Sequence, residues 1–491
     1  MEVKLTGQAE RILAILSPKT PEVALDEIPR ITVDDTVSRF SFLYEKIRNV
    51  VDYKDEHLIR KGAILRILKR QLLLETKSEV IADRLVRELI SARYLPNGVI
   101  AETALARVAE LVQKYLAVRK IGAGAERHLD WLLGLVAVEI EEYLVDPAED
   151  RACLAFLFDR LKESLHVRNF NLDEHELHLQ IYIACHRALT KADDEMLGYK
   201  LLRIYLPEWM APREWLERPR PLAERLVAVE RRIKLQLSHP LAHKFLCAIK
   251  PWGVSLEMLR GVFRDQPERA QEFLEKPETL YRQIEQKADA KYAGAKTKLR
   301  RGTFRAMIYL LLTKMLVAVL VELPLEWLWY ARVDHFALAV NLSFPPVLMF
   351  FVGLLIKVPG MANTQRLIDG VKKLLSDERL GVQEILAPQP RTRAKKFWFT
   401  VIYAAAFLVS FGLIFAVLSA IDFTWISILI FVFFLCIVSF FGYRLRLTAR
   451  QVVVIEGRRR TLAVIADFFF LPILRAGKWL SMSINRINIF I

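Results

Sequence analysis

The sequence predicts an all-α protein in which a cytoplasmic helical bundle or α-solenoid-like domain is followed by a polytopic α-helical membrane domain. Two observations support this fold class. Residues 296–491 carry 25 Lys and Arg against 10 Asp and Glu, and so hold the whole formal charge of +15. The same region contains four long apolar runs, and the basic residues that flank them lie almost wholly on one side. This asymmetry is typical of helices oriented in a membrane.

Residues 1–295 are electrically neutral, with 46 residues of each sign, and are predicted to be helical throughout. Apolar residues recur at intervals of three and four, as in Ile81, Leu85 and Leu89, which is the helical period. No alternating pattern indicates a strand. Helices with short links favour antiparallel pairs stacked as a bundle or solenoid. The prolines at 219–221 mark a candidate sub-boundary, and the last helix, 267–299, is expected to lead directly into the membrane domain.

The membrane domain, residues 296–443, contains four predicted transmembrane helices, each close to the ~20 residues that cross the hydrocarbon core. Backbone groups in lipid must be satisfied within the segment, and these spans are therefore predicted to be helical. They cover about residues 304–322, 336–356, 397–418 and 424–443. A basic loop, 357–396, joins the second and third spans.

Beyond the fourth span, residues 444–491 form a basic, amphipathic segment that is expected to associate with the membrane. Polar residues interrupt its part from 462 to 491, which indicates an interfacial helix, with a fifth span or re-entrant hairpin as the alternative. The β-branched run 451–455 predicts a short strand. In the basic loop, an amphipathic helix at 364–375 is predicted either to lie on anionic lipid or to dock onto the soluble domain.

The positions of Lys and Arg predict the orientation of the spans. Basic residues precede the first span, fill the loop 357–396 and follow the fourth span, whereas the two opposite loops hold only Arg332. This places both termini in the cytoplasm of a multi-pass protein of the plasma (inner) membrane. Eight of the basic residues are candidate contacts to anionic lipid headgroups: Arg300, Arg301, Arg393, Lys395, Lys396, Arg458, Arg459 and Arg460.

Six residues are candidates for an intramembrane or pore-lining role: Lys314, Glu322, Glu326, Asn341, Pro345 and Pro346. An ionisable residue within a span is a functional hypothesis by default. Lys314 is expected either to snorkel or to form an internal ion pair. The two glutamates are interpreted as solvated ends of the outer loop, or as collectors of cations ahead of a pore. The two prolines predict a broken or kinked second span.

No catalytic, cofactor-binding or metal-binding residue is predicted. His175 and His178 are three residues apart, whereas a zinc-protease helix needs a spacing of four. Gly122-Ala123-Gly124 follows a helix instead of a strand and is interpreted as a turn. Nucleic acid is not an expected partner, because the basic excess flanks apolar spans. The four cysteines contain no CxxC pair, which fits a reducing compartment.

Two functions fit these observations. The first is an integral membrane protein whose cytoplasmic domain is an interaction or scaffold domain, held by four transmembrane helices, with a protein partner and the capacity to form homo-oligomers. The alternative is a transporter or channel for an ion or small solute that uses the broken second span with Lys314 and Glu322. The third and fourth spans argue against transport, because they offer little polarity beyond Ser410, Ser427, Cys436 and Ser439. An enzyme is not favoured.

Overall fold

The computed structural model describes residues 6–16, 29–34, 55–121, 126–211, 219–330, 335–356, 359–387, 392–449 and 461–487, which are almost entirely helical. The first elements are α1 Gly7–Leu16, α2 Glu56–Leu74, α3 Ser78–Ser91, α4 Thr103–Ile121, α5 Glu126–Leu144, α6 Ala148–Leu161, β1 Leu165–Arg168, α7 Glu174–Leu189 and α8 Asp194–Tyr205. They are followed by α9 Pro219–Leu237, α10 Ala242–Asp265 and α11 Ala270–Glu275, with short 3-10 turns at Pro207–Met210 and Pro267–Arg269.

The remaining elements include the apolar helices. These are α12 Pro277–Val317, a π-helical turn Ala318–Glu322, α13 Leu323–Tyr330, α14 His335–Leu355, α15 Met361–Leu375, β2 Gln383–Leu386, α16 Arg393–Ala420, α17 Trp425–Ala449 and α18 Thr461–Ile487. The predicted strand at 451–455 lies outside the described residues. The all-α fold class is confirmed.

The chain divides into two compact units. The N-terminal unit comprises Met1–Leu280 together with Asp369–Pro388, and the membrane unit comprises Tyr281–Ile368 together with Gln389–Ile491. The core of the N-terminal unit is formed mainly by α2 to α5 and α7 to α9, and the periodic residues Ile81, Leu85 and Leu89 are fully buried in it. The helical period in the sequence therefore marks the true core faces of these helices.

The N-terminal unit also contains two short strands. β1 and β2 pair in parallel, with Leu165 opposite Gln383 and Arg168 opposite Leu386. The prediction that this half of the chain has no strand was wrong. β1 does alternate, as Leu-His-Val-Arg, but four residues are the lower limit of a strand signal and are easily overlooked between two helices. In addition, the partner strand lies in the loop between the second and third apolar helices, so no residues near β1 in the sequence indicate the pairing.

Arg160 of α6 binds that loop within the N-terminal unit. Its guanidinium Nη2 donates to the carbonyl oxygens of Lys373, Ser376 and Glu378, each at 2.9 Å. These carbonyls lie at and just after the end of α15, where a helix has no N–H groups of its own to satisfy them. Arg160 therefore caps α15 and holds the chain that leads to β2.

The amino end of α1 forms hydrogen bonds to the same loop. The backbone N–H groups of Gly7 and Gln8 donate to the carboxylate of Asp377 at 3.1 and 3.0 Å, and Thr6 Oγ1 donates to the carbonyl oxygen of Leu375. A carboxylate at a helix N-terminus is stabilised by the free N–H groups and by the helix dipole. The loop is thus held at both its helical and its extended parts.

Helix α15 confirms the predicted amphipathic helix in the basic loop. Its apolar residues Leu367, Val371 and Leu374 are fully buried within the protein. An apolar face covered by protein is not available to insert into lipid, whereas contact of the basic residues of this helix with anionic lipid stays a prediction.

Helix α12 extends without interruption from Pro277 to Val317, which confirms that the charged helix leads directly into the first apolar segment, although this helix begins at Pro277 and not at 267 as predicted. The second apolar helix, α14, is not broken: it continues through Pro345 and Pro346. The irregularity instead lies in the first apolar segment, at the π-helical turn Ala318–Glu322. Four helical segments are long and apolar enough to cross a membrane: Pro277–Trp329, His335–Leu355, Arg393–Ala420 and Trp425–Arg446.

Segment 462–491, which the sequence indicates is interrupted by polar residues, is helical over Thr461–Ile487. This helix, α18, packs closely on α17 at Gly477, where an added Cβ would lie 2.0 Å from the carbonyl oxygen of Cys436. Ser410 of α16 donates to the carbonyl oxygen of Phe469 at 2.7 Å. The apolar face of α18 is therefore partly covered by other helices of the membrane unit.

Candidate functional site

Among the described residues of the apolar segments, three side chains that can carry a charge as Lys or Glu are buried. Lys314 and Glu322 are 0% exposed and Glu326 is 1% exposed. Lys314 Nζ lies 3.0 Å from Glu322 Oε2, so the internal ion pair expected as one alternative for Lys314 is the arrangement found. The interpretation of the two glutamates as solvated loop ends is wrong.

The π-helical turn explains how residues eight positions apart meet. In a regular α-helix eight residues rotate the chain by about 80° beyond two full turns, which would point Glu322 away from Lys314. A π turn accommodates one additional residue, and so returns the following residues by about one residue's rotation, ~100°. Glu322 therefore lies close to the Lys314 face of the helix, within reach of the long lysine side chain.

A second helix reaches the ion pair through Asn341 of α14. Asn341 Nδ2 lies 2.5 Å from Glu322 Oε1 and donates also to the backbone carbonyl oxygen of Ser427 at 3.2 Å. Its own side-chain oxygen, Oδ1, is buried and has no hydrogen-bond partner among the described residues. Pro345 has no backbone N–H. The carbonyl oxygen of Asn341, one turn before it, therefore lacks the hydrogen bond that a regular helix would supply from this position.

Helix α17 and the residue before it complete the cluster. Ser427 Oγ lies 2.9 Å from Glu322 Oε1 and 2.6 Å from Glu326 Oε1. Thr424 Oγ1 lies 3.0 Å from the same oxygen of Glu326. We call Lys314, Glu322, Glu326, Asn341, Thr424 and Ser427 the polar cluster. It joins the π turn to α12, α13, α14 and α17.

Four of the six candidate intramembrane residues therefore come together, while Pro345 and Pro346 belong to the continuous helix beside them. Sequence reasoning missed Thr424 and Ser427, because serine and threonine are common in apolar helices and carry no charge. One signal was present: they are three residues apart at the outer end of the fourth span, at the same predicted depth as Glu326. Hydroxyl side chains on one helix face are candidates for interhelical hydrogen bonds.

The environment of the polar cluster is apolar. Lys314 Nζ lies 5.0 Å from the ring centre of Phe434, close enough for a cation–π contact. At the carboxyl end of α13 and the amino end of α17 the indole rings of Trp329 and Trp425 stack at 5.8 Å. Burial among apolar groups strengthens every electrostatic interaction within the cluster and makes an unpaired charge costly.

The candidate headgroup contacts divide into two groups. Arg300 and Arg301 of α12 and Arg393, Lys395 and Lys396 in the first turn of α16 are exposed. Arg458, Arg459 and Arg460 lie outside the described residues. Contact of these side chains with anionic lipid stays a prediction.

The N-terminal unit holds a buried ion pair of its own. Lys114 Nζ lies 2.7 Å from Glu139 Oε1, and the indole N–H of Trp209 donates to the other oxygen of Glu139 at 3.1 Å. Burial lowers the pKa of Lys114, and the neighbouring carboxylate opposes this shift. Trp209 is fully buried in the core of the N-terminal unit. In the part of the chain that the structure describes, no three His, Cys, Asp or Glu side chains are placed to hold a metal ion.

Comparison of the chain with protein-family models, curated proteins and solved structures finds no match. The class of protein therefore rests on the structure. Four helical segments have the length and apolarity of membrane spans. Large apolar side chains such as Leu312, Leu354 and Leu408 are exposed along them, which a water-soluble surface rarely tolerates. The chain is an integral membrane protein.

Proposed function

We propose that this protein is a membrane-anchored scaffold, in which the N-terminal unit binds a protein partner at the cytoplasmic face of the plasma membrane. The four apolar segments hold it there, and the exposed basic residues of α12 and α16 contact anionic lipid. The neutral charge of residues 1–295 fits a protein-binding surface better than one for nucleic acid.

The observation that carries this proposal is the loop held by Arg160. Residues Asp369–Pro388 belong to the N-terminal unit, although they lie in the chain between the second and third apolar helices. This supports placing the N-terminal unit on the membrane face where the loop emerges. The same loop carries the basic residues that predict the cytoplasmic side. A partner bound to the N-terminal unit would also act on a segment that is covalently joined to two spans.

The side of the membrane is tested with a natural cysteine. Cys247 of α10 is exposed, whereas Cys153, Cys185 and Cys436 are buried. A membrane-impermeant maleimide should label Cys247 in inverted membrane vesicles and leave it unlabelled in intact cells. Cys247→Ser is the control and should abolish the labelling. Labelling of Cys247 in intact cells would contradict the cytoplasmic placement.

The scaffold function is tested by in-cell cross-linking of the full chain, followed by mass spectrometry of the linked peptides. We expect a second protein linked to lysines of the N-terminal unit, in an amount comparable to the chain itself. A membrane protein of similar abundance, cross-linked in parallel, controls for chance encounters. Links confined to the chain and its own copies would contradict the scaffold proposal.

A second candidate function, transport of an ion or small solute, is favoured by the polar cluster. The sequence argued against transport because the fourth span offered little polarity, yet Ser427 contacts both glutamates. Flux of protons and monovalent cations would be measured in proteoliposomes. Lys314→Ala and Glu322→Ala should each change the flux, whereas Thr313→Ala, beside Lys314 on the same helix, should not. No flux in the wild type, or unchanged flux in both cluster variants, would contradict transport.

A further inference from the structure

The hydroxyl group of Ser427 lies between two carboxyl groups and has one hydrogen to donate. Its oxygen is 2.9 Å from Glu322 Oε1 and 2.6 Å from Glu326 Oε1, and both distances are those of hydrogen bonds. If both glutamates were ionised, each would be an acceptor only. One of the two contacts would then set oxygen lone pairs against each other without a hydrogen between them.

The neighbouring donors among the described residues do not supply the missing hydrogen. Thr424 Oγ1 accepts the backbone N–H of Ser427 at 3.3 Å, and its own hydrogen is directed to Glu326 at 3.0 Å. The ammonium of Lys314 and the amide of Asn341 are directed to Glu322. A carboxyl group that carries a proton is the remaining source, since it both donates and accepts.

The charge of the polar cluster leads to the same result independently. Among the described residues, one ammonium and two carboxylates, all almost completely buried, would leave one net negative charge in an apolar environment. A buried charge without a partner is strongly unfavourable. One bound proton makes the polar cluster neutral.

We infer that the polar cluster is a binding site for one proton, held by Glu326 and connected through Ser427 to Glu322. The Glu326 hydroxyl donates to Ser427 Oγ, and the Ser427 hydroxyl donates to Glu322, which remains the carboxylate partner of Lys314. A carboxylic acid is a more acidic donor than an alcohol, so its bond to Ser427 should be the shorter of the two, as the distance of 2.6 Å at Glu326 is.

This arrangement permits transfer of the proton between the two glutamates. The Glu326 O–H bond breaks as a new O–H bond forms at Ser427, while the former Ser427 hydrogen passes to Glu322. Ser427 ends unchanged, Glu326 becomes a carboxylate and Glu322 an acid, and the total charge is the same. Lys314 remains an ammonium throughout. The charge thereby moves from the π turn to α13.

The groups that face this site come from each element packed around it. Lys314 comes from α12, Asn341 from α14, and Thr424 precedes α17. Phe434 of α17 covers the ammonium. Among the described residues, the buried Oδ1 of Asn341 has no hydrogen-bond partner, and it belongs to the side chain that donates to Glu322. The inference goes beyond the scaffold function and shares residues with the transport candidate, but its readout is proton binding and not flux.

The test is infrared difference spectroscopy on the purified full chain in lipid nanodiscs at neutral pH. We expect the wild type to show a protonated-carboxyl C=O band that moves to lower frequency in D₂O and on ¹³C-labelling of glutamate. Glu326→Gln should lack this band, because the glutamine amide replaces the acid as donor to Ser427. Glu208→Gln, at an exposed glutamate paired with Arg225, is the matched control and should retain it. Loss of the band in Glu322→Gln alone, or in no cluster variant, would overturn the inference.

A second variant keeps the test decisive if Glu326→Gln does not fold. Ser427→Ala retains both carboxyl groups and removes only the hydroxyl that connects them. Since the acid then loses its acceptor, its C=O band should move to higher frequency. An unchanged band position would show that Ser427 does not connect the two glutamates.

Discussion

The ion pair between Lys314 and Glu322 makes a quantitative prediction through a double-mutant cycle. Lys314→Met preserves most of the side-chain volume and removes the charge, and Glu322→Gln preserves the shape of the side chain. Each single change leaves the other charge buried without its partner, whereas the double change removes both charges together. The cycle separates the interaction from the packing of the two side chains.

The magnitude follows from the complete burial of both side chains and their distance of 3.0 Å. Breaking a buried ion pair by removing one partner costs about 3–5 kcal/mol, while replacing the pair by uncharged groups of similar volume is often close to neutral. The double variant should therefore be at least about 2 kcal/mol more stable than the sum of the single changes predicts. This exceeds the ~0.6 kcal/mol typical of interhelical hydrogen bonds in membrane proteins.

Cys436 provides the assay, because it is buried in α17 of the membrane unit. The rate at which a thiol reagent labels Cys436 in the full chain reports the free energy of opening around α17, and mass spectrometry identifies the labelled peptide. Thr313→Ala, whose hydroxyl donates to the carbonyl of Tyr309 on its own helix, is the control. If the two single effects add to within about 0.5 kcal/mol, the pair contributes no coupling and the reasoning fails.

Three further predictions address other parts of the chain. Gly477→Ala should destabilise the packing of α18 by about 1–3 kcal/mol, because its Cβ would meet the Cys436 carbonyl oxygen, whereas Gly412→Ala has open space and should not; thiol labelling of Cys436 measures both, and equal rates would contradict the close packing. Arg160→Ala removes three charged hydrogen bonds and should cost about 2–4 kcal/mol locally, seen as faster amide hydrogen exchange at 376–386 with α5 unchanged; unaltered protection would refute the capping role. Burial, with a smaller contribution from a nearby lysine, lowers the pKa of His186 from 6.5 to about 3, so that between these pH values the unfolded chain binds a proton that the folded chain does not. The contribution of neutral His186 to the free energy of unfolding is present above about pH 6.5 and is lost as the pH falls toward 3. A denaturation series should therefore show a shallower pH slope for His186→Gln.

The polar cluster and the loop held by Arg160 connect different parts of the chain. The loop joins the second and third apolar helices to the N-terminal unit through Arg160, and the polar cluster joins the first, second and fourth apolar segments through Glu322. Glu322 contacts groups from three of these segments, so a change in its protonation changes hydrogen bonds on all three. Such a change of protonation is a local change of charge that acts on a defined set of partners.

Much of the architecture follows from local sequence. The helical period at Ile81, Leu85 and Leu89 and the apolar runs in 296–443 depend on residues a few positions apart. A membrane span must satisfy its backbone hydrogen bonds within itself, so its composition alone is sufficient to predict a helix. The continuous passage of α12 into the first apolar segment was predicted for the same reason.

The tertiary structure alone decided which polar groups meet. The residue types marked Lys314, Glu322 and Asn341 as unusual in an apolar segment, but neither the contact of Ser427 with both glutamates nor the pairing of β1 with β2 follows from them. A side chain's chemistry determines how many hydrogen bonds it needs, and long-range packing determines which partner supplies them. The capacity to hold charge in the membrane is therefore evident from the sequence, whereas the shared proton depends on distances that only the folded chain creates.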